Sequence, residues 1–236
     1  MNLVSKALYC LKPVLLWIND HLSIPFSVKK VTGDHYYLWR NQINKGYVLL
    51  TNTNGQGSNL VNPSAIRHGG IYFGKGLRTA LKNRIVELER QGGKNGPQIE
   101  RLKMILNKYQ PEDEICYVLE AVKEGFIPTN LVKFLTTKDR VKIMKPTFCS
   151  NQEMIAAALQ AMDFLGLPYD FGFQAGNGAK YCFEAIAHSY EAVKNVKLPM
   201  IPTYLWGTKV YEAYRSKTFT DDKERWQCVI DSDKLA

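Results

Sequence analysis

Short runs rich in aliphatic, β-branched and aromatic residues alternate along this chain with longer stretches whose apolar positions recur every three or four residues. The first strand is expected at Gly46-Tyr47-Val48-Leu49-Leu50-Thr51, behind a glycine. An Asn-, Gly- and Ser-rich loop over 52–64 separates it from a second run, Ala65 to Gly74, which contains His68-Gly69-Gly70-Ile71-Tyr72. Two glycines in a row weaken a strand unless another group must approach the backbone there. Lys82 to Gln91 and Pro97 to Tyr109 carry the helical period and are joined by the breaker Gly92-Gly93-Lys94-Asn95-Gly96. A strand is expected over Ile115 to Val122, a turn at Gly125 to Pro128, a short helix over Asn130 to Thr136, a strand over Arg140 to Met144, and a linker from Pro146. Ser150, with Glu153 three residues on, has the form of a capping box before an apolar-striped helix, Met154 to Leu165, closed by Gly166. Residues 1–20 read as an amphipathic helix broken at Pro13, and 21–45 as mixed, with the cluster Tyr36-Tyr37-Leu38-Trp39. The tail from Leu198 predicts a helix or strand near Lys209 to Tyr214.

One stretch organises the rest. Leu167 to Val193 opens on the aromatic run Tyr169-Asp170-Phe171-Gly172-Phe173, passes a loop with Gly176, Asn177 and Gly178, and enters a helix at or just before Cys182. Phe183, Ile186, Ala187, Tyr190 and Val193 give that helix an apolar face. A cysteine in a first helical turn sees the positive end of the dipole, which favours the nucleophilic thiolate. The alternative is a small buried hydrophobe.

Composition narrows the setting. A chain of 236 residues with 45% hydrophobic content suits one sizeable globular core. The formal charge of +9 implies anionic surroundings, whether an anionic cell-wall polymer, a lipid surface or nucleic acid. Nucleic acid has only the net charge behind it and is not the expected partner. Nine basic residues against three acidic ones fall within 75–110, a solvated hairpin or a basic flap over a site. Five scattered cysteines without a CxxC pair indicate neither a zinc site nor a disulfide framework. No apolar run is long enough to span a bilayer, and Lys12 and Pro13 interrupt the N-terminal apolar segment, so neither a signal peptide nor a transmembrane segment is expected. The expected location is cytoplasmic, or delivery as a phage- or virion-associated protein.

A cysteine nucleophile needs a base, and the base an orienter. Of four histidines, His188 lies six residues past Cys182 on the same helix and faces away, while His21 and His35 sit in poorly patterned sequence. His68, beside two glycines, is the best base on these grounds. Glu120 is a lone carboxylate inside Tyr117-Val118-Leu119-Glu120-Ala121-Val122. It orients His68 if the two strands are neighbours, and otherwise pairs with one of many cations.

The order of these pieces resembles the circularly permuted NlpC-type papain-fold proteins, the YiiX/YebB-like group. The pieces are Gly46-Tyr47-Val48-Leu49-Leu50, then His68-Gly69-Gly70-Ile71-Tyr72, then Leu119-Glu120-Ala121, then Pro168-Tyr169-Asp170-Phe171, then Cys182-Phe183-Glu184. The resemblance covers roughly 46–195 and implies Cys182 as nucleophile, His68 as base and Glu120 as orienter. It implies an α+β, permuted papain-like fold with a small antiparallel sheet packed on the nucleophile's helix. Two departures stand out: Phe183 where the family often has serine, and the length of the basic insertion at 75–110. The expected layout is an N-terminal segment 1–45, a catalytic domain 46–195 and a C-terminal extension 196–236. The implied activity is that of a cysteine peptidase or amidase on cell-wall-type peptides, with Tyr72, Tyr169, Asp170 and Tyr181 lining the substrate and no metal or cofactor. Two alternatives stand beside it: a lipid acyl hydrolase or acyltransferase resembling lecithin retinol acyltransferase, and a non-catalytic protein binding an anionic partner through the basic insertion.

Overall fold

The computed structural model describes residues 31–52, 66–171, 178–205 and 208–234, and the single position 14. The helix expected over 1–20, most of the 52–64 loop, the glycine loop around Asn177 and Trp206 lie outside the described residues. In chain order the elements are α1 (Gly33–Trp39), β1 (Val48–Asn52), β2 (His68–Gly74), α2 (Leu77–Gln91), α3 (Gly96–Tyr109), β3 (Tyr117–Val122) and β4 (Gly125–Asn130). Then come α4 (Leu131–Thr136), β5 (Arg140–Pro146), α5 (Asn151–Met162), α6 (Cys182–Lys194), β6 (Ile201–Leu205), β7 (Thr208–Ala213), α7 (Ser216–Thr220) and β8 (Trp226–Asp231). Six strands form one sheet in the order β4-β3-β2-β1-β5-β8, every neighbouring pair antiparallel, and β6 and β7 make a separate hairpin.

Strand alternation divides the core into two layers. Val48, Leu50, Ile71, Phe73 and Leu119 face a layer built from α2, α3, α5 and α6, while Leu49, Tyr72, Val118 and Ile143 face α1 and α4. Both faces of the central strands are therefore buried, which is why β1 and β2 read as near-continuous apolar runs rather than alternating ones. Among the described residues no helix is long and apolar enough to cross a membrane.

The basic stretch 75–110 is a helical hairpin seated in the core by Leu77, Leu81, Ile85, Leu88, Leu102 and Ile105. Arg84 fixes it to the end of α5, with Nε and Nη2 donating to the two carboxylate oxygens of Asp163 at 2.8 and 2.7 Å. Lys75 pairs with Glu114, and Lys103 with Glu89. It is a packed part of the domain, with several of its charges met locally, and not a free flap.

The structure adds detail to several sequence readings. Gly125 to Pro128 is strand, not turn: the chain reverses just before it, and Pro128 is tolerated because β4 is an edge strand. Pro146 is the last residue of β5, and the short connection to α5 begins one residue after it. The aromatic cluster 36–39 is helical, begun at Thr32, whose backbone N–H donates to the His35 ring. The segment 196–236 supplies β8, which pairs with β5 and is pinned by Lys142 to Asp231 at 2.6 Å, so the central sheet continues past residue 195. The capping box of Ser150 and Glu153 forms as expected, but helix α5 starts at Asn151.

Gly125 ties the fold to the segment leading into the active stretch. Its φ is +117°, and a Cβ placed there would stand 2.6 Å from the Leu167 carbonyl oxygen. That same carbonyl accepts the Phe126 N–H at 2.9 Å. Gly125→Ala is expected to lower stability by about 1–3 kcal/mol through backbone strain and this clash. Urea denaturation followed by circular dichroism measures it; a midpoint equal to that of the unsubstituted protein would rule out the close approach.

Candidate active site

Cys182 is the first residue of α6, after Tyr181 in an extended conformation. The chain is extended there because Lys180 bridges to Tyr169: Lys180 N–H donates to the Pro168 carbonyl at 2.9 Å, and Asp170 N–H donates to the Lys180 carbonyl at 3.2 Å. The apolar face read from the sequence is buried, with Phe183, Ile186, Ala187 and Tyr190 in the core. The Tyr190 hydroxyl donates to the Gly46 carbonyl, which anchors the middle of α6 to the approach into β1. Cys182 itself is 5% exposed.

The paired glycines after His68 now have their reason. A Cβ on Gly69 would meet Phe183, Ile186 and Leu50 at 3.1 to 3.3 Å, and one on Gly70 would meet Val118 Cγ1 at 2.4 Å. The first turns of α6 rest on Gly69, so the start of the helix lies at the start of β2. His68 and Cys182, each next to one member of that contact, are brought together.

Gly70 is the register partner of Glu120 across β2 and β3. His68 and Glu120 share a face of the sheet by strand alternation, and His68 Nε2 stands 2.5 Å from Glu120 Oε2. With Nε2 taken by the carboxylate, Nδ1 is the ring nitrogen left for Cys182. Burial alone would push the His68 imidazole down; hydrogen bonds to Cys182 and to Glu120 outweigh it and raise its pKa to about 9. For Glu120, burial pushes the carboxyl up, and the hydrogen bond and charge of His68 bring it below its ordinary value. The side chains of His68 and Glu120 are 22% and 6% exposed, so what access the pair has is from the histidine side.

The four residues expected to line substrate separate into two groups. Tyr169 is close to Cys182: burial first, then the charges of Cys182 and Asp170, hold its hydroxyl firmly protonated. Its ring lies 4.7 Å from that of Phe171, and Asp170 behind it is fully buried. Tyr181 is committed elsewhere, its hydroxyl accepting the Tyr214 N–H at 2.8 Å. Tyr72 is buried on the α1/α4 face of the sheet, tied to Cys116, and is not brought to Cys182. The sequence reading missed a third group. Lys180 Nζ donates to Glu184 Oε1 at 2.9 Å and stands 3.2 Å from His188 Nδ1. The four-residue spacing of Lys180, Glu184 and His188 was the available signal.

Residues 42–230 match the family described as permuted papain-like amidase enzyme, YaeF/YiiX, C92 family. The chain belongs to that family. Protein OPG091 of variola virus is 24% identical over 191 residues, 81% of this chain and 87% of its own length. Protein OPG091 of monkeypox virus matches to the same extent. In structure the chain is similar to YiiX of Escherichia coli O157:H7, described as a metalloprotein, with a TM-score of 0.53 and 15% identity over 80% of this chain and 98% of that one. At that identity the likeness shows the fold, a permuted papain-like one. As a permuted papain-like amidase the chain is a cysteine-type hydrolase, with the His68 and Glu120 strands ahead of the Cys182 helix in sequence. Among its described residues no three His, Cys, Asp or Glu side chains group as metal ligands.

The raised pKa of His68 links to stability. A histidine whose folded pKa exceeds its unfolded value of 6.5 stabilises fully below pH 6.5, and that contribution is lost as pH rises through about 9. Unfolding free energy of the protein relative to His68→Gln is therefore expected to fall between those limits. Parallel denaturation of the two proteins at stepped pH measures it, and a difference that is flat across the window contradicts the buried imidazolium.

Proposed function

We propose that this permuted papain-like amidase cleaves an acyl–nitrogen bond through Cys182, His68 and Glu120, and that its substrate is a peptide of the anionic cell-wall type. The observation carrying the proposal is the placement of one imidazole between a thiol at a helix N-terminus and a buried carboxylate. In the reacting form of the pair the Cys182 proton is carried by His68, and Glu120 holds the ring in place.

The steps balance on these residues alone. The Cys182 thiolate forms the S–C bond while the carbonyl π pair moves to oxygen. The resulting oxyanion is met by the Cys182 N–H at the start of α6 and by the protonated Tyr169 hydroxyl. The C–N bond breaks, and the leaving nitrogen takes the proton from His68 Nδ1. A thioester remains. Neutral His68 then draws a proton from water, hydroxide adds to the thioester, and the thiolate leaves with the imidazolium restored.

The family description supports the amide, and the formal charge of +9 suits a polyanionic substrate. A lipid-ester reading has one observation of its own, the contact between the tilted rings of Tyr169 and Phe171, an apolar surface that would suit an acyl chain. A binding protein without chemistry has no use for a thiol held against a charged imidazole.

Hydrolysis of a short peptide anilide and of p-nitrophenyl butyrate, with mass spectrometry of the acyl-enzyme, tests the proposal. Cys182→Ala is expected to abolish turnover of both and the mass increase. Glu120→Gln is expected to lower kcat by about 10²–10⁴-fold, the loss known for a misoriented catalytic histidine. A preference for the ester over the anilide favours the lipid reading, and turnover that persists in Cys182→Ala sinks the mechanism.

A further inference from the structure

Lys180 precedes the nucleophile by two residues, and its side chain is 11% exposed. Burying an ammonium is costly unless its charge and its donors are met. Here Nζ is met by Glu184 Oε1 at 2.9 Å and His188 Nδ1 at 3.2 Å, and it lies 5.6 Å from the centre of the Phe164 ring. None of these groups enters the proposed chemistry.

The main chain of the same residue does something different. Its N–H and carbonyl hold Pro168 and Asp170 in the bridge around Tyr169. One residue therefore grips the Tyr169 arm through its backbone and α6 through its side chain. The far end of the arm is fixed independently, by the Phe126 N–H on the Leu167 carbonyl. Between the two anchors stand two fully buried carboxyl side chains, Asp170 on the arm and Glu184 on the helix, near enough for their charges to oppose each other. Glu184 Oε2 is buried with no hydrogen-bond partner among the described residues. Lys180 Nζ meets the Glu184 member of that pair directly.

We propose that Lys180 is a positioning residue for the Cys182 reaction: it clasps the Tyr169–Asp170 arm to the first turns of α6 and so holds the Tyr169 hydroxyl where the oxyanion forms. The inference rests on the proposed roles of Cys182 and Tyr169.

The test is a double-mutant cycle read on p-nitrophenyl butyrate, with folded content of each variant checked by circular dichroism. Lys180→Met and Tyr169→Phe are each expected to lower kcat about tenfold or more with little change in KM, because the lost interaction belongs to the transition state. Lys180→Arg is expected to recover most of the loss. The double variant is expected to be no slower than Tyr169→Phe, since the clasp then has no hydroxyl left to place. Losses that multiply in the double variant overturn the proposal, as does full activity in Lys180→Met. If Lys180→Met does not fold, Lys180→Gln, which keeps a donor for Glu184, carries the same cycle. Cys182→Ala separates the two ideas: turnover surviving there removes the nucleophile itself, whereas a dead Cys182→Ala with multiplying losses removes only the role of Lys180.

Discussion

The close seat of α6 on the backbone of Gly69 is the contact on which the site depends. A helix can touch a strand at this distance only where no Cβ intervenes, and Phe183 and Ile186 occupy the space that one would take. Packing there is nondirectional burial, but its consequence is directional. It sets the N-terminus of α6, with Cys182 on it, against the start of β2, with His68 on it. Gly70 serves the other side of the same strand, admitting Val118 and leaving Glu120 in register beside it. Two glycines thus let a core of aliphatic residues bring three polar side chains together without any of those three supplying the packing energy.

The electrostatics follow from that geometry. His68 and Glu120 are both largely removed from water, which by itself disfavours charge on each. Each nonetheless moves toward its charged form, because at 2.5 Å the pair, together with Cys182, outweighs desolvation. His188, one face round the same helix, shows the opposite balance. Burial and the Lys180 ammonium push it down to about 4, so it stays neutral and accepts a hydrogen bond. Two histidines in one small region are held in opposite states: at His68 the bonds to Cys182 and Glu120 outweigh burial, whereas at His188 burial and the Lys180 ammonium prevail.

Much of this was legible in the sequence, and the parts that were not share a cause. Ser150 with Glu153, Gly92 to Gly96, and the apolar face of 183–193 are local signals, and the corresponding elements form. His68, Glu120 and Cys182 could be singled out as unusual in their surroundings, and resemblance supplied their pairing. What failed was non-local. Trp226–Asp231 is a strand paired with β5, an edge supplied from far away in the sequence. Gly125 to Pro128 carries turn residues but is drawn straight by pairing with β3 and by burial of Phe126. The hydroxyl of Tyr181, expected to line the substrate, accepts from the backbone of Tyr214, thirty-three residues on, a contact no local pattern announces.

The basic hairpin shows what packing adds to a reading from composition. Its cationic excess marks it as a surface for an anionic partner, and that reading treats every cation as free. In the fold, Arg84 is locked bidentately to Asp163 and to Glu87, and Lys75 and Lys103 have carboxylates of their own. A guanidinium held in that fork cannot be lent to a partner without undocking the hairpin from α5. The leucines that face inward make the same statement in apolar terms, since α2 and α3 complete the core layer to which α6 belongs. The insertion is then part of what keeps the nucleophile's helix in place. Its remaining charges add to the summed field that an anionic substrate would meet.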